Sequence, residues 1–220
     1  MILRSLLWSR LNGRRVGFNV AEVDGPADGA AVDDDVIIDR LRRGDPTAFD
    51  EVYRRFTPGL FGFLARLTGQ TAIAEELLQE TWLRFATHAR ALAPAANLRA
   101  WLFTVARNLY RSHRRRGLVD LARLRFWRGS AEAHPGAPSP HDLAVASETE
   151  RQLEQALSAL PLEQREILLL VALEGFSPAQ AAAITGVRPA AARQRLHRAR
   201  TLIGEALETA WLMRAPKGEI

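Results

Sequence analysis

Residues 160–207, LPLEQREILLLVALEGFSPAQAAAITGVRPAAARQRLHRARTLIGEAL, carry three helical patterns in a row. The last two meet at Thr185-Gly186-Val187, a turn too short for anything but a sharp corner. Ser177 can cap the middle helix, and Pro178 suits its first position, where no backbone donor is needed. Pro189 opens the following helix in the same way. Ala182 is small enough to let the two helices cross closely, and Gly186 can take the backbone angles that the corner requires. The pattern predicts a helix-turn-helix, a shape that sets its second helix in the DNA major groove.

The last helix can be wheeled at roughly 100° per residue. Ala192, Leu196, Ala199 and Ile203 fall within about 60° of each other and predict a buried stripe. Arg193, Gln194, His197 and Arg198 lie on the other side, with Arg188 just before the helix. Such side chains hydrogen-bond base edges or pair with phosphates. An ordinary amphipathic helix with a solvated basic face would wheel the same way. The turn, the caps and the rest of the chain weigh against that plainer reading.

Working outward, the 220 residues suffice for one large domain or two small ones, and 47% hydrophobic content suffices for real cores. The net charge of +5 suits a polyanionic partner. Its distribution says more. Every charge from Glu22 to Asp39 is acidic, while those from Arg99 to Arg128 are basic except Asp120. The chain has no cysteine, which excludes disulfides, thiol catalysis and cysteine-based zinc sites. The five histidines (His88, His113, His134, His141 and His197) are scattered without metal-ligand spacing, so neither a metal nor a cofactor is expected. No phosphate-cradling glycine loop or nucleophile motif is present, and no enzymatic activity is expected. No run is long enough to span a membrane, and the opening MILRSLLWSRLNGRR lacks the pattern of a signal peptide. The expected location is the cytoplasm.

The expected fold is all-α, with two small helical domains joined by a flexible linker. Residues 1–35 lack sustained periodicity and are expected to form a flexible extension. Residues 36–116 are helical in pattern, with breaks at Gly44-Asp45-Pro46, Thr57-Pro58-Gly59, Thr68-Gly69 and Ala93-Pro94. Residues 117–147 include WRGSAEAHPGAPSPHD and read as a linker by composition. Helical periodicity returns over 148–213, leaving a short tail at 214–220.

Two faces of the first module differ in sign. Between Thr71 and His88, one side carries Ala74, Leu77, Leu78, Trp82 and Phe85, and the other carries Glu75, Glu76, Gln79 and Glu80. Phosphates would repel that acidic side, so it is either a solvated surface or a protein-docking one. Between Leu98 and Arg116, Trp101, Leu102, Val105 and Leu109 predict the buried side. Arg107, Arg111, Arg114 and Arg115 line the opposite side, with Arg99 and Asn108 near the edges. A stripe of this kind can follow a phosphate backbone, and the loop from about Arg90 to Asn97 could hold unstacked bases. The aromatic residues Phe49, Tyr53, Phe56, Phe61, Phe63, Trp82, Phe85, Trp101 and Phe103 fall mostly at core spacing.

The blocks GDPTAFDEVYRRFTP, AEELLQETWLRF, LRAWLFTVARNLYRSHRRR and LPLEQREILLLVALEGFSPAQAAAITGV, closed by RLHRAR, occur in the order seen in extracytoplasmic-function (ECF) sigma factors. The chain resembles that group of the sigma-70 family from about Val36 to Leu207. The resemblance implies a sigma-2-like helical bundle followed by a sigma-4-like helix-turn-helix domain. It implies core RNA polymerase, double-stranded and locally melted promoter DNA, and an anti-sigma factor as partners. Glu75, Glu76, Gln79 and Glu80 would then dock on the coiled-coil clamp of the largest polymerase subunit. The basic helix bearing Arg99, Arg107, Asn108, Arg111, Arg114 and Arg115 would engage the minus-ten element. Arg188, Arg193, Gln194, His197 and Arg198 would read the minus-thirty-five element, and the linker would thread toward the RNA exit path. The chain departs from the family pattern at Ile73 and Ser112, where acidic residues are common, and at Arg188, where a small hydroxyl residue is usual. Ala191-Ala192 likewise stands for a Thr-Val pair. A free-standing helix-turn-helix regulator is the alternative, and neither an acidic face nor a basic helix behind a loop serves such a protein.

Overall fold

The computed structural model describes residues 30–93, 96–128 and 148–214. Among them are eight α-helices and no strand, in two compact units. Most of the expected extension, the Pro- and Gly-rich part of the expected linker and the tail lie outside the described residues. No helix among the described residues is long and apolar enough to cross a membrane.

The first unit comprises α1 (Ala30–Arg42), α2 (Pro46–Thr68), α3 (Thr71–His88), a 3-10 turn (Ala89–Ala91) and α4 (Leu98–Arg128). Helix α2 starts where its sequence says it should. Asp45 accepts a hydrogen bond from the Thr47 amide at 2.9 Å, and Pro46 occupies the first turn. The same carboxylate accepts from the Thr47 hydroxyl at 2.7 Å and from Arg40 Nε at 2.9 Å. Arg40 also reaches Glu51 at 2.9 Å, tying α1 to the start of α2. These bonds, led by the Thr47 hydroxyl and then Arg40, hold the Asp45 carboxyl down at about 2.

The expected break at Thr57-Pro58-Gly59 does not occur, and α2 continues through Pro58 to Thr68. Proline in a helix interior forfeits one backbone bond and costs about 3 kcal/mol. Here the apolar stripe Val52, Phe56, Leu60, Phe63, Leu64 and Leu67 runs unbroken on both sides of it and is buried throughout. Burying each such side chain is worth about 1.5–3 kcal/mol, so packing outweighs the proline. Gly69, with φ 67°, ends the helix as expected.

Helices α2, α3 and α4 pack on one another around this stripe. Phe63, Phe85 and Phe103 are fully buried, and the rings of Phe63 and Phe103 meet edge-on at 5.4 Å. On α3, Ala74, Leu77, Trp82 and Phe85 are buried as expected, whereas Leu78 is only partly so. Thr81 takes a core position by donating its hydroxyl to the Leu77 carbonyl at 2.7 Å. Helix α4 continues to Arg128, past the expected end at Arg116, because Gly117 weakens a helix without stopping it.

The second unit comprises α5 (Glu148–Ala159), α6 (Leu162–Leu168), a π-helical turn (Leu169–Leu173), α7 (Pro178–Thr185) and α8 (Pro189–Arg214). Arg165 on α6 donates to the Ser158 carbonyl and, at 3.2 Å, to the Leu160 carbonyl, fastening the end of α5. Ile167, Leu168, Leu169 and Leu170 are all buried, as is Phe176 after them. Against this apolar base sits α8, which packs on α5, α6 and α7.

Candidate nucleic-acid and protein interfaces

The helix-turn-helix forms as the sequence dictates, with one addition. Ser177 Oγ accepts from the Gln180 amide at 3.2 Å, and Gln180 Oε1 accepts from the Ser177 amide at 2.8 Å. This reciprocal pair satisfies two amides at the start of α7. The spacing Ser177-Gln180 is its signal in the sequence. Gly186 turns the corner at φ 68°, and the Val187 amide closes it on the Ala182 carbonyl at 3.0 Å. Ala181, Ala182 and Ile184 are buried.

On α8 the stripe Ala192, Leu196, Ala199 and Ile203 is buried, as its wheel predicts. Arg188, Arg193, Gln194, His197 and Arg198 are all exposed. Arg193, His197 and Arg200 fall within about 60° of one another, and Gln194 and Thr201 flank them. The exposed Arg200 and Thr201 lengthen this face by a turn beyond the residues singled out from sequence. The i, i+4, i+7 spacing from Arg193 was the available signal. Planar guanidinium groups pair bidentately with guanine or phosphate, and a glutamine amide pairs with adenine. Nothing acidic interrupts the face within its first three turns.

The basic helix of the first unit differs from its sequence wheel. The buried residues Leu98, Leu102, Phe103, Ala106, Leu109 and Tyr110 centre near Ala106, rotated by roughly 70° from the expected stripe. Trp101 and Val105 are half-buried at its margin. The rotation follows from packing against two helices, α2 and α3, which widens the arc that α4 must bury. It carries Arg107 into the interior. That side chain is 7% exposed, with Nη1 donating to Asn108 Oδ1 at 3.3 Å, so it does not line the solvent side as expected.

Arg99 is likewise set apart, half-buried with its guanidinium 5.7 Å from the Phe103 ring centre. What remains together on one side is Asn108, Arg111 and Arg115, within about 60° of each other, with Arg114 exposed near the end. Asn97 Oδ1 accepts from the Ala100 amide at 2.8 Å and fixes the start of α4. The rings of His88, at the end of α3, and Trp101, on α4, lie 6.2 Å apart at a tilt of 43°.

On α3, Glu75, Glu76 and Gln79 are exposed, and the partly exposed Glu80 pairs with Arg84 at 3.0 Å. The acidic side therefore exists as expected. Its C-terminal end does not match the sequence picture, because Leu83, one turn after Glu80 on the same side of α3, is 64% exposed. Of the aromatic residues assigned to packing, Tyr53 is the exception. It is 41% exposed, with its ring 4.8 Å from that of the buried Trp82.

Both units have counterparts among known proteins. Residues 52–117 match the model of Sigma-70 region 2, and residues 150–203 match that of Sigma-70, region 4. The RNA polymerase sigma factor CarQ of Myxococcus xanthus is 34% identical over 175 residues, covering 76% of this chain and 96% of that protein. The ECF RNA polymerase sigma factor EcfG of Rhodopseudomonas palustris is 36% identical over 152 residues, covering 68% and 80%. Among solved structures, the sigma factor RpoE, in complex with the anti-sigma factor NepR from Bartonella quintana, is similar. It has a TM-score of 0.61 and 28% identity, and the match covers 73% of this chain and 96% of that one. CnrH, in complex with the cytosolic domain of CnrY, shares the fold at a TM-score of 0.61 and 22% identity. With both sigma regions present in order on two helical units, the chain belongs to the sigma-70 family and is an RNA polymerase sigma factor of the ECF type.

Proposed function

We propose that this sigma factor grips core RNA polymerase through α3 and delivers two basic surfaces to promoter DNA. Glu75, Glu76, Gln79 and Glu80 form the docking face. Asn108, Arg111, Arg114 and Arg115 follow the phosphate backbone at the minus-ten element, while the segment before α4 receives melted bases. Arg188, Arg193, Gln194, His197 and Arg198 read the minus-thirty-five element as a duplex. Residues 36–116 and 148–213 act as the two modules, with 117–147 as the link between them. The chain itself performs no chemistry; it confers sequence specificity on the polymerase. An anti-sigma partner holds it inactive; the similar sigma factor RpoE is found in complex with the anti-sigma factor NepR.

One observation carries the reading, namely the opposite polarity of two exposed helix faces. The carboxylates of α3 face solvent in one unit, and the arginines of α8 face solvent in the other. A surface of carboxylates is repelled by phosphates and suits a cationic protein surface, whereas guanidinium groups suit DNA. Two weak modules on one tether gain from high effective concentration once either is docked. A free-standing regulator needs no such acidic face.

The test is charge reversal at Glu76 and Glu80. The double variant Glu76→Arg, Glu80→Arg is expected to lose co-purification with core polymerase while keeping its helical circular dichroism. Unchanged co-purification would remove the docking assignment.

A further inference from the structure

The acidic face ends in an apolar side chain. Leu83 is 64% exposed, more than Val36, Tyr53 or Leu202, the other exposed large hydrophobic residues of the described chain. A single exposed leucine is ordinary on any protein surface. Its surroundings here are not. At roughly 100° per residue, Glu76, Gln79 and Glu80 lie within about 60° of it, one to two turns before. Ala86, also exposed, follows the leucine one turn later on the same side. Arg84, the neighbouring cation, is drawn onto Glu80 at 3.0 Å. The arrangement is an exposed apolar knob bordered on its N-terminal side by two carboxylates and an amide. A side chain that is buried only on docking, with polar groups beside it, can anchor an interface.

We infer that Leu83 is the anchor of the docking face and sets its affinity for core polymerase. This rests on the docking reading above. The occupant is a cationic surface of core polymerase, with lysine or arginine around an apolar socket. Charge complementarity to Glu75, Glu76 and Glu80 selects it over nucleic acid, which the same carboxylates repel. The carboxylates and the leucine have separate physical roles. Exposed carboxylates are screened by salt, act at a distance and chiefly raise the rate of encounter. The leucine contributes only once it is buried against the socket, so it slows dissociation and is insensitive to screening.

The experiment measures association and dissociation of the full chain with core polymerase at several salt concentrations. Leu83→Ala is expected to weaken binding by about tenfold or more, through faster dissociation, with the salt dependence of the wild type. Leu83→Met restores most of the affinity, and Leu83→Gln is as weak as Leu83→Ala. Glu76→Gln behaves differently, associating more slowly and with a shallower salt dependence. Thermal stability is expected to be unchanged in the Leu83 variants, since the side chain lies in solvent. Wild-type affinity in Leu83→Ala, alongside a tightly binding wild type, overturns the inference and leaves the docking reading standing. A wild type that self-associates through this patch, with Leu83→Ala converting it to monomer, overturns it as well. A wild type that does not bind core polymerase at all removes the docking reading and the inference with it.

Discussion

Arg193 and Gln194 occupy the exposed side of α8 one turn after its start, where side chains can reach base edges. Replacing either with alanine is expected to cost about 1–3 kcal/mol and to relax preference at one or two upstream base pairs. Competition binding against single-base variants of a mapped promoter checks this, and a uniform loss on all sequences would mark phosphate contacts instead. Arg107 carries the opposite expectation. As a buried side chain, its replacement by alanine should destabilise the first unit by about 1–3 kcal/mol and leave the salt dependence of DNA binding unchanged. Arg115→Ala, in contrast, should lower the salt slope by about one. Asp45 makes stability depend on acid. Its folded carboxyl is held at about 2, below the ordinary 3.8, so its contribution is complete above the ordinary value and fades as pH falls toward 2. Acid unfolding of Asp45→Asn should therefore be flatter between about pH 4 and 2 than that of the wild type.

At the scale of the element, the corner between α7 and α8 concentrates several devices in a few residues. Gly186→Ala places a Cβ in open space, so only the left-handed backbone, at φ 68°, opposes it. A loss of about 1–2 kcal/mol is expected, and Ser177→Ala should lose about 1 kcal/mol through its cap. Amide hydrogen exchange across α7 and α8 reads both. These elements were legible because cap, proline, glycine and apolar period all pointed to the same boundaries. The errors arose where a local rule met tertiary packing. Pro58 broke the pattern on paper, yet the stripe from Val52 to Leu67 holds α2 together on both sides. The wheel of α4 failed because one helix was imagined against one partner, and α4 is covered by two. Leu83 is not legible in the α3 pattern, because a run of charges does not show which neutral residue stands exposed beside it.

At the scale of the molecule, the order of the two sigma regions was legible from sequence blocks, and the separate helical units agree with it. Which promoter the chain selects is not written in its residue types, because base preference depends on how α8 sits in the groove. What the two units can do together follows from their polarity. On the function proposed above, joining both surfaces on one polymerase would convert the second contact into an intramolecular event. The direct measurement is start-site mapping by in vitro transcription on genomic DNA, using purified core polymerase with and without the full chain. Transcripts with defined starts, sharing upstream sequence elements and present only when the chain is added, are the expected result. Initiation that is no more frequent or better positioned than with core enzyme alone would contradict the role assigned to both surfaces.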